Sequence, residues 1–174
     1  NRPLPGYFYR LSPIAQRRYL KSDAVESYDF VPGPAALRLT VHLVEALSAE
    51  MTSPAIERAT RDLADELCQA LGVRGIKITV YGVRPHNTRG ELHGIFYPAR
   101  PPYIKLWMRT AQRHQVVKPK TFIRTLLHEL GHYFDYSVLN LGDSFHTGGF
   151  FKRESSLLKA LWPEVPWTSA GAHK

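Results

Sequence analysis

The chain has 174 residues, 44% hydrophobic and 22% charged, which excludes a disordered chain and provides for the core of about one ordinary domain. A single cysteine, Cys68, excludes an intrachain disulfide, and no run of about 20 apolar residues is present to span a membrane. The formal charge is +8, and it is unevenly placed: Arg74 to Arg124 holds eleven Lys or Arg against one acid, Glu91, so the remainder of the chain is −2.

Residues 1–11, rich in Pro, Tyr and Arg, read as irregular. Ser12-Pro13 predicts an N-cap and first turn for a short helix to about Leu20. Phe30-Val31-Pro32-Gly33-Pro34 is a breaker, followed by a helix of about 16 residues with Leu37, Val41, Val44 and Leu47 at apolar positions. Met51-Thr52-Ser53-Pro54 interrupts it, and Ser53 is placed to cap a helix that runs to about Leu71, where Gly72 stops it. Ile76–Tyr81, Leu92–Tyr97 and Tyr103–Met108 then read as three strands, with turn residues Asn87 and Gly90 between the first two. A strong helix follows from about Pro119 to Leu139. A turn with Asn140 and Gly142 ends it, and a last helix runs from about Gly148 to Leu161, closed by Pro163 and Pro166. The expected fold class is α+β: N-terminal helices, a small three-stranded sheet, and two helices after it. Residues 1–52 are expected to form a helical segment packed on a core of residues 53–174, one compact domain in all.

Inside the penultimate helix lies His128-Glu129-Leu130-Gly131-His132. Residues i and i+4 share a helix face, so the two imidazoles can bind one Zn²⁺ through nitrogen. Glu129 lies about 100° round the helix and can reach a water activated by that metal without being a ligand. This is the HExxH arrangement, in which the glutamate takes a proton from water as it attacks a peptide carbonyl. A chance match is the competing reading, but the apolar stripe Phe122, Ile123, Leu126, Leu130 and Phe134 sets the motif on a core-facing helix.

A third protein ligand is needed, and two residues downstream qualify. His146 follows the turn after the helix. Glu154 sits in the last helix with Phe150, Phe151, Leu157 and Leu158 as helical neighbours, where an acid requires a partner. That partner is either the zinc or a ligand histidine that the carboxylate would orient. Either His146 or Glu154 is expected to complete the site, and the spacing leaves both open. Asp135 is a candidate for orienting a ligand histidine, and Tyr97, Tyr103, Tyr136, His93 and Arg153 for stabilising an oxyanion. The strand at Tyr103–Met108 is also a candidate edge for pairing with a substrate backbone, although its alternation suits an ordinary strand equally.

The runs TFIRTLLHELGHYFDY and GDSFHTGGFFKRESSL resemble the SprT-like (Spartan-type) zinc metallopeptidases of the zincin group. His146 and Phe150 match that family's third histidine and the aromatic four residues later, and GIFYPARPPYIKLWMR resembles its strands before the active-site helix. The resemblance covers about residues 75–160. It departs where the family has Gly directly after the third histidine, since Thr147 stands there, and at Glu154, where the family is apolar. It implies a zincin-like fold, Zn²⁺ as cofactor, and proteolysis of DNA-bound proteins.

The basic stretch Arg74–Arg124 reads either as a surface for a polyanion such as DNA or as a solvated face. Cys68, in a helical pattern, reads as a small buried apolar residue. The chain shows no leader-like pattern and no disulfide, so the expected compartment is the cytoplasm. Two functions are weighed: a zinc endopeptidase acting on a protein or peptide, and an inactive or regulatory zincin-like domain that binds DNA or a protein.

Overall fold

The computed structural model describes residues 2–162. It is a mixed α+β architecture. Five α-helices, α1 (Pro13–Ala24), α2 (Pro34–Ser48), α3 (Ser53–Ala70), α4 (Pro119–Ser137) and α5 (Gly148–Leu161), accompany strands β1 (Lys77–Val83), β2 (His86–Asn87), β3 (Gly90–Glu91), β4 (Gly94–Tyr97) and β5 (Tyr103–Arg109). Among the described residues no helix is long and apolar enough to cross a membrane.

The helix starts follow local chemistry. Ser12 Oγ accepts from the Ala15 amide and Thr147 Oγ1 from the Phe150 amide, and Pro occupies the first turn of α1 to α4. At α3 the cap is Thr52, one residue before the expected Ser53: its hydroxyl takes the Ala55 amide. Helix α1 extends four residues past Leu20 because its last turn is docked rather than solvated. Arg153 Nη1 donates to the carbonyls of Ser22 and Val25, which a helix end otherwise leaves without partners. Residues 6–10, expected to be irregular, form a 3-10 helix whose Phe8 is buried. The expected closure by Pro163 and Pro166 lies outside the described residues.

The sheet order is β1-β5-β4, with β5 parallel to β1 and antiparallel to β4. The strand expected as a possible edge, Tyr103–Met108, is therefore central. The edge on this side belongs to β4, which is half-buried and begins at Gly94 rather than Leu92, while residues 86–91 form the small β2–β3 ladder. At the outer edge of β1, Glu57 Oε1 accepts from the Val80 amide and Arg61 Nε donates to the Ile78 carbonyl, so α3 satisfies groups that a second neighbouring strand would use.

One sheet face carries Ile78, Val80, Ile104, Leu106 and Met108, all buried in a cluster with α2, α3, α4 and α5. Residues before and after position 53 contribute to that one cluster, through Leu43, Val44 and Leu47 of α2 and Leu63 and Leu67 of α3. On the same face Gly94 lets β4 lie against α4. A Cβ there would stand 2.8 Å from the ends of Leu106 and Thr125 and 3.2 Å from Glu129 Cγ.

Helices α1 and α5 cross at Gly149, where an added Cβ would fall 2.2 Å from the Ser22 carbonyl oxygen and 2.7 Å from that of Asp23. Backbone cannot yield as a side-chain tip does. Gly149→Ala is accordingly expected to cost about 1–3 kcal/mol, read as a lower denaturation midpoint in urea. An unchanged midpoint would show that the crossing adapts.

Candidate metal centre

Helix α4 brings His128 and His132 to one face, with ring centroids 5.0 Å apart. The chain turns back after α4, and His146, just before α5, arrives at 4.9 Å from the first ring and 4.8 Å from the second. One ring nitrogen from each lies within 4.8 Å of the others, a group able to hold a metal ion. The Nε2 atoms of His132 and His146 stand 2.9 Å apart. Two ligand nitrogens at about 2.0–2.1 Å from one tetrahedral ion would be separated by about 3.4 Å, so a small adjustment fits the set to zinc.

The other nitrogens fix the tautomers. Glu154 Oε1 accepts from His128 Nδ1–H at 2.7 Å, and an ionised carboxylate can only accept. His128 is thereby left with its Nε2 lone pair. Ser144 Oγ donates its one proton to Asp135 Oδ2 at 2.8 Å, so it must accept from His132 Nδ1–H at 2.6 Å. The lone pair of His132 is again on Nε2, facing His146. Both outer partners thus prepare nitrogen donors for a cation.

Glu154 sits on the far nitrogen of His128, with Arg124 Nη1 3.8 Å from its second oxygen, and the group of three able to hold an ion contains His146 and not Glu154. Asp135 orients His132 through Ser144, not directly. Sequence reasoning missed Ser144, which stands at φ 42°, in the left-handed region uncommon outside glycine. A serine nine residues past Asp135 carries no periodic signal. Phe96 also escaped it: its ring stacks on His132 at 6.3 Å, and Phe150, matched through the family resemblance, stacks there at 4.8 Å.

Other expected residues are elsewhere. Arg153 is buried, bonded to Asp135, Ser22 and Val25, and cannot meet an oxyanion in the cleft. Tyr103 and Tyr97 stack on each other at 4.5 Å and lie on the sheet face away from α4, by their register opposite Ile104 and Phe96. Tyr136 and His93 do line the cleft.

That cleft consists of two hollows of about 410 and 430 Å³ that meet at Gly94, His128 and Glu129. Edge strand β4 forms one wall. A larger hollow of about 810 Å³ between α1 and α5 has Phe151 in common with the cleft but does not reach the histidines.

Glu129 is only 7% exposed, and its burial raises its pKa against the opposing influence of His128. Burial pushes His132 down to about 3, with His128 and His146 adding to the effect. His146 is lowered by burial and then by His128. For His128 burial also works downward, but the Glu154 hydrogen bond and the charges of Glu129 and Glu154 outweigh it and the pKa is raised.

No protein family matches the chain, and no curated protein or solved structure does either.

Proposed function

We propose that the chain is a zinc-dependent endopeptidase. The observation that carries this reading is the convergence of His128, His132 and His146 beside a buried Glu129 at the junction of the cleft. The three histidines would hold the ion, with nitrogen donors that suit zinc. Zinc, when bound, supplies Lewis-acid activation of water and of a peptide carbonyl.

The remaining chemistry belongs to the chain. Glu129 accepts the proton of the attacking water at its carboxylate and returns it to the departing amine. Its raised pKa brings it closer to the range in which both transfers are efficient. Glu154 and the Ser144–Asp135 pair hold the imidazoles in place during turnover. The edge of β4 pairs with the backbone of an extended substrate, and Tyr136 or His93 meets the developing oxyanion. The alternative, a non-catalytic zinc-binding domain, gives no task to a buried carboxylate at the cleft floor. A narrower role on DNA-associated proteins requires cleavage stimulated by DNA and suppressed at high salt.

The purified chain is expected to retain about one zinc per molecule and to cleave an unfolded protein such as casein, with activity lost on chelation and restored by zinc. His146→Ala should abolish stable retention of the ion. Glu154→Gln should weaken it about 10–100-fold, because the donor remains but its support is lost. Equal retention by wild type and His146→Ala would remove His146 from the ligand set. Absence of both zinc and hydrolysis would overturn the proposal.

A further inference from the structure

Among the described residues, the side chains on the second face of the β1-β5-β4 sheet are half-buried or exposed, unlike the buried face that meets the helices. Side chains alternate along a strand, and the register places Tyr81 beside Trp107 and Tyr97 beside Tyr103 on this face. The first pair stacks at 5.6 Å with planes 26° apart, the second at 4.5 Å and 21°. Between the pairs stands Lys105, its Nζ 5.9 Å from the Tyr81 ring, 5.5 Å from Tyr97 and 5.9 Å from Tyr103. Lys77 lies opposite Tyr103 in the register, and Arg109 follows Trp107 by two positions.

None of the three strands contains an Asp or Glu. Among the described residues Lys77, Lys105 and Arg109 enter no ion pair, although Arg109 donates to the His114 carbonyl. Rings that would serve a core are thus left half in water, and Tyr81 is 39% exposed. Ordinary surface charge would be mixed in sign and would not be interleaved with four aromatic rings.

We infer that this open sheet face is a binding platform for single-stranded nucleic acid, with bases stacked on the Tyr81–Trp107 and Tyr97–Tyr103 pairs and phosphates met by Lys77, Lys105 and Arg109. Each base offers a π-face to an aromatic ring whatever its identity, so recognition tolerates sequence. A duplex keeps its bases stacked inside and cannot use the rings. The assignment also divides the basic stretch Arg74–Arg124. Arg84 is buried against Glu91, whereas three of its cations share this face. The platform lies on the opposite side of the sheet from the histidines and does not depend on the peptidase reading.

The test uses the full chain and fluorescein-labelled dT20 in fluorescence anisotropy, with a 20-base-pair duplex for comparison and intrinsic tryptophan emission as second readout. The expected result is tighter binding of dT20 than of the duplex, with quenched tryptophan emission. Tyr81→Ala with Trp107→Ala should weaken dT20 binding roughly tenfold or more, and Lys105→Gln should reduce the salt slope by about one. Trp107→Phe keeps a stacking ring and should bind within a few-fold of wild type, which separates lost stacking from a damaged fold. Arg113→Gln and Lys118→Gln, outside the three strands, should have smaller effects. Absence of dT20 binding at low salt would overturn the inference, as would preference for the duplex. So would equal losses from the off-face variants, or self-association abolished by the face variants without nucleic-acid binding.

Discussion

Replacing Glu129 with glutamine is expected to lower peptide hydrolysis by about 10²–10⁴-fold while leaving zinc content unchanged. Glutamine has the same shape but cannot take a proton from water. No ligand nitrogen is altered, since Glu129 lies outside the group formed by His128, His132 and His146. The carboxylate is buried between β4 and α4, where burial raises its pKa and so penalises its charge. The neutral amide therefore removes a cost, and the variant should be at least as resistant to denaturant as wild type. Three measurements decide the matter together: turnover on casein, zinc by atomic absorption, and the urea midpoint. Turnover within about threefold of wild type would dismiss Glu129 as the base. Loss of zinc along with turnover would instead make Glu129 part of how the ion is held.

The parts of this centre that repeat with a helix were legible in the sequence. His128 and His132 are one turn apart, and the stripe from Phe122 to Phe134 that sets them facing inward is buried throughout. Glu154 was legible as an acid among apolar neighbours in need of a partner, and the partner found is His128. What escaped depends on contacts between distant segments. The alternation of Tyr103–Arg109 is the same for a central and an edge strand, and its place is decided by pairing with Lys77–Val83 some 26 positions earlier. Arg153 was a candidate for stabilising an oxyanion, and it lies next to Glu154 in the same helix. One residue of helix turns it toward α1 instead, where carbonyls at the end of another helix receive it. Ser144 acts only because Asp135 and His132 lie on one face of α4 and the following loop folds over them.

Arg153→Met is expected to destabilise the fold by about 3–5 kcal/mol, the scale for breaking a buried ion pair from one side. Arg153 is 1% exposed and Asp135 not at all, with Nη2 to Oδ1 at 3.1 Å. Methionine fills most of the volume but leaves the Asp135 carboxylate with the Ser144 hydroxyl alone. It also strips the Ser22 and Val25 carbonyls of their donor, so the end of α1 loses its hold on α5. A loss of this size lowers the melting temperature of a chain this long by roughly 10 °C. Adding Asp135→Asn to Arg153→Met removes the stranded charge and should recover part of the loss, so that the two changes are less than additive. The same network ends at the histidines proposed to hold zinc, because Asp135 sets the Ser144 proton that sets the His132 tautomer. Zinc affinity in Arg153→Met, measured by competition with a chelator where the protein remains folded, should fall toward that of an Asp135→Ala variant. A melting temperature within two degrees of wild type would show that the pair is not what joins α1 to the core. Unaltered zinc affinity in both variants would confine the network to the fold and detach it from the metal.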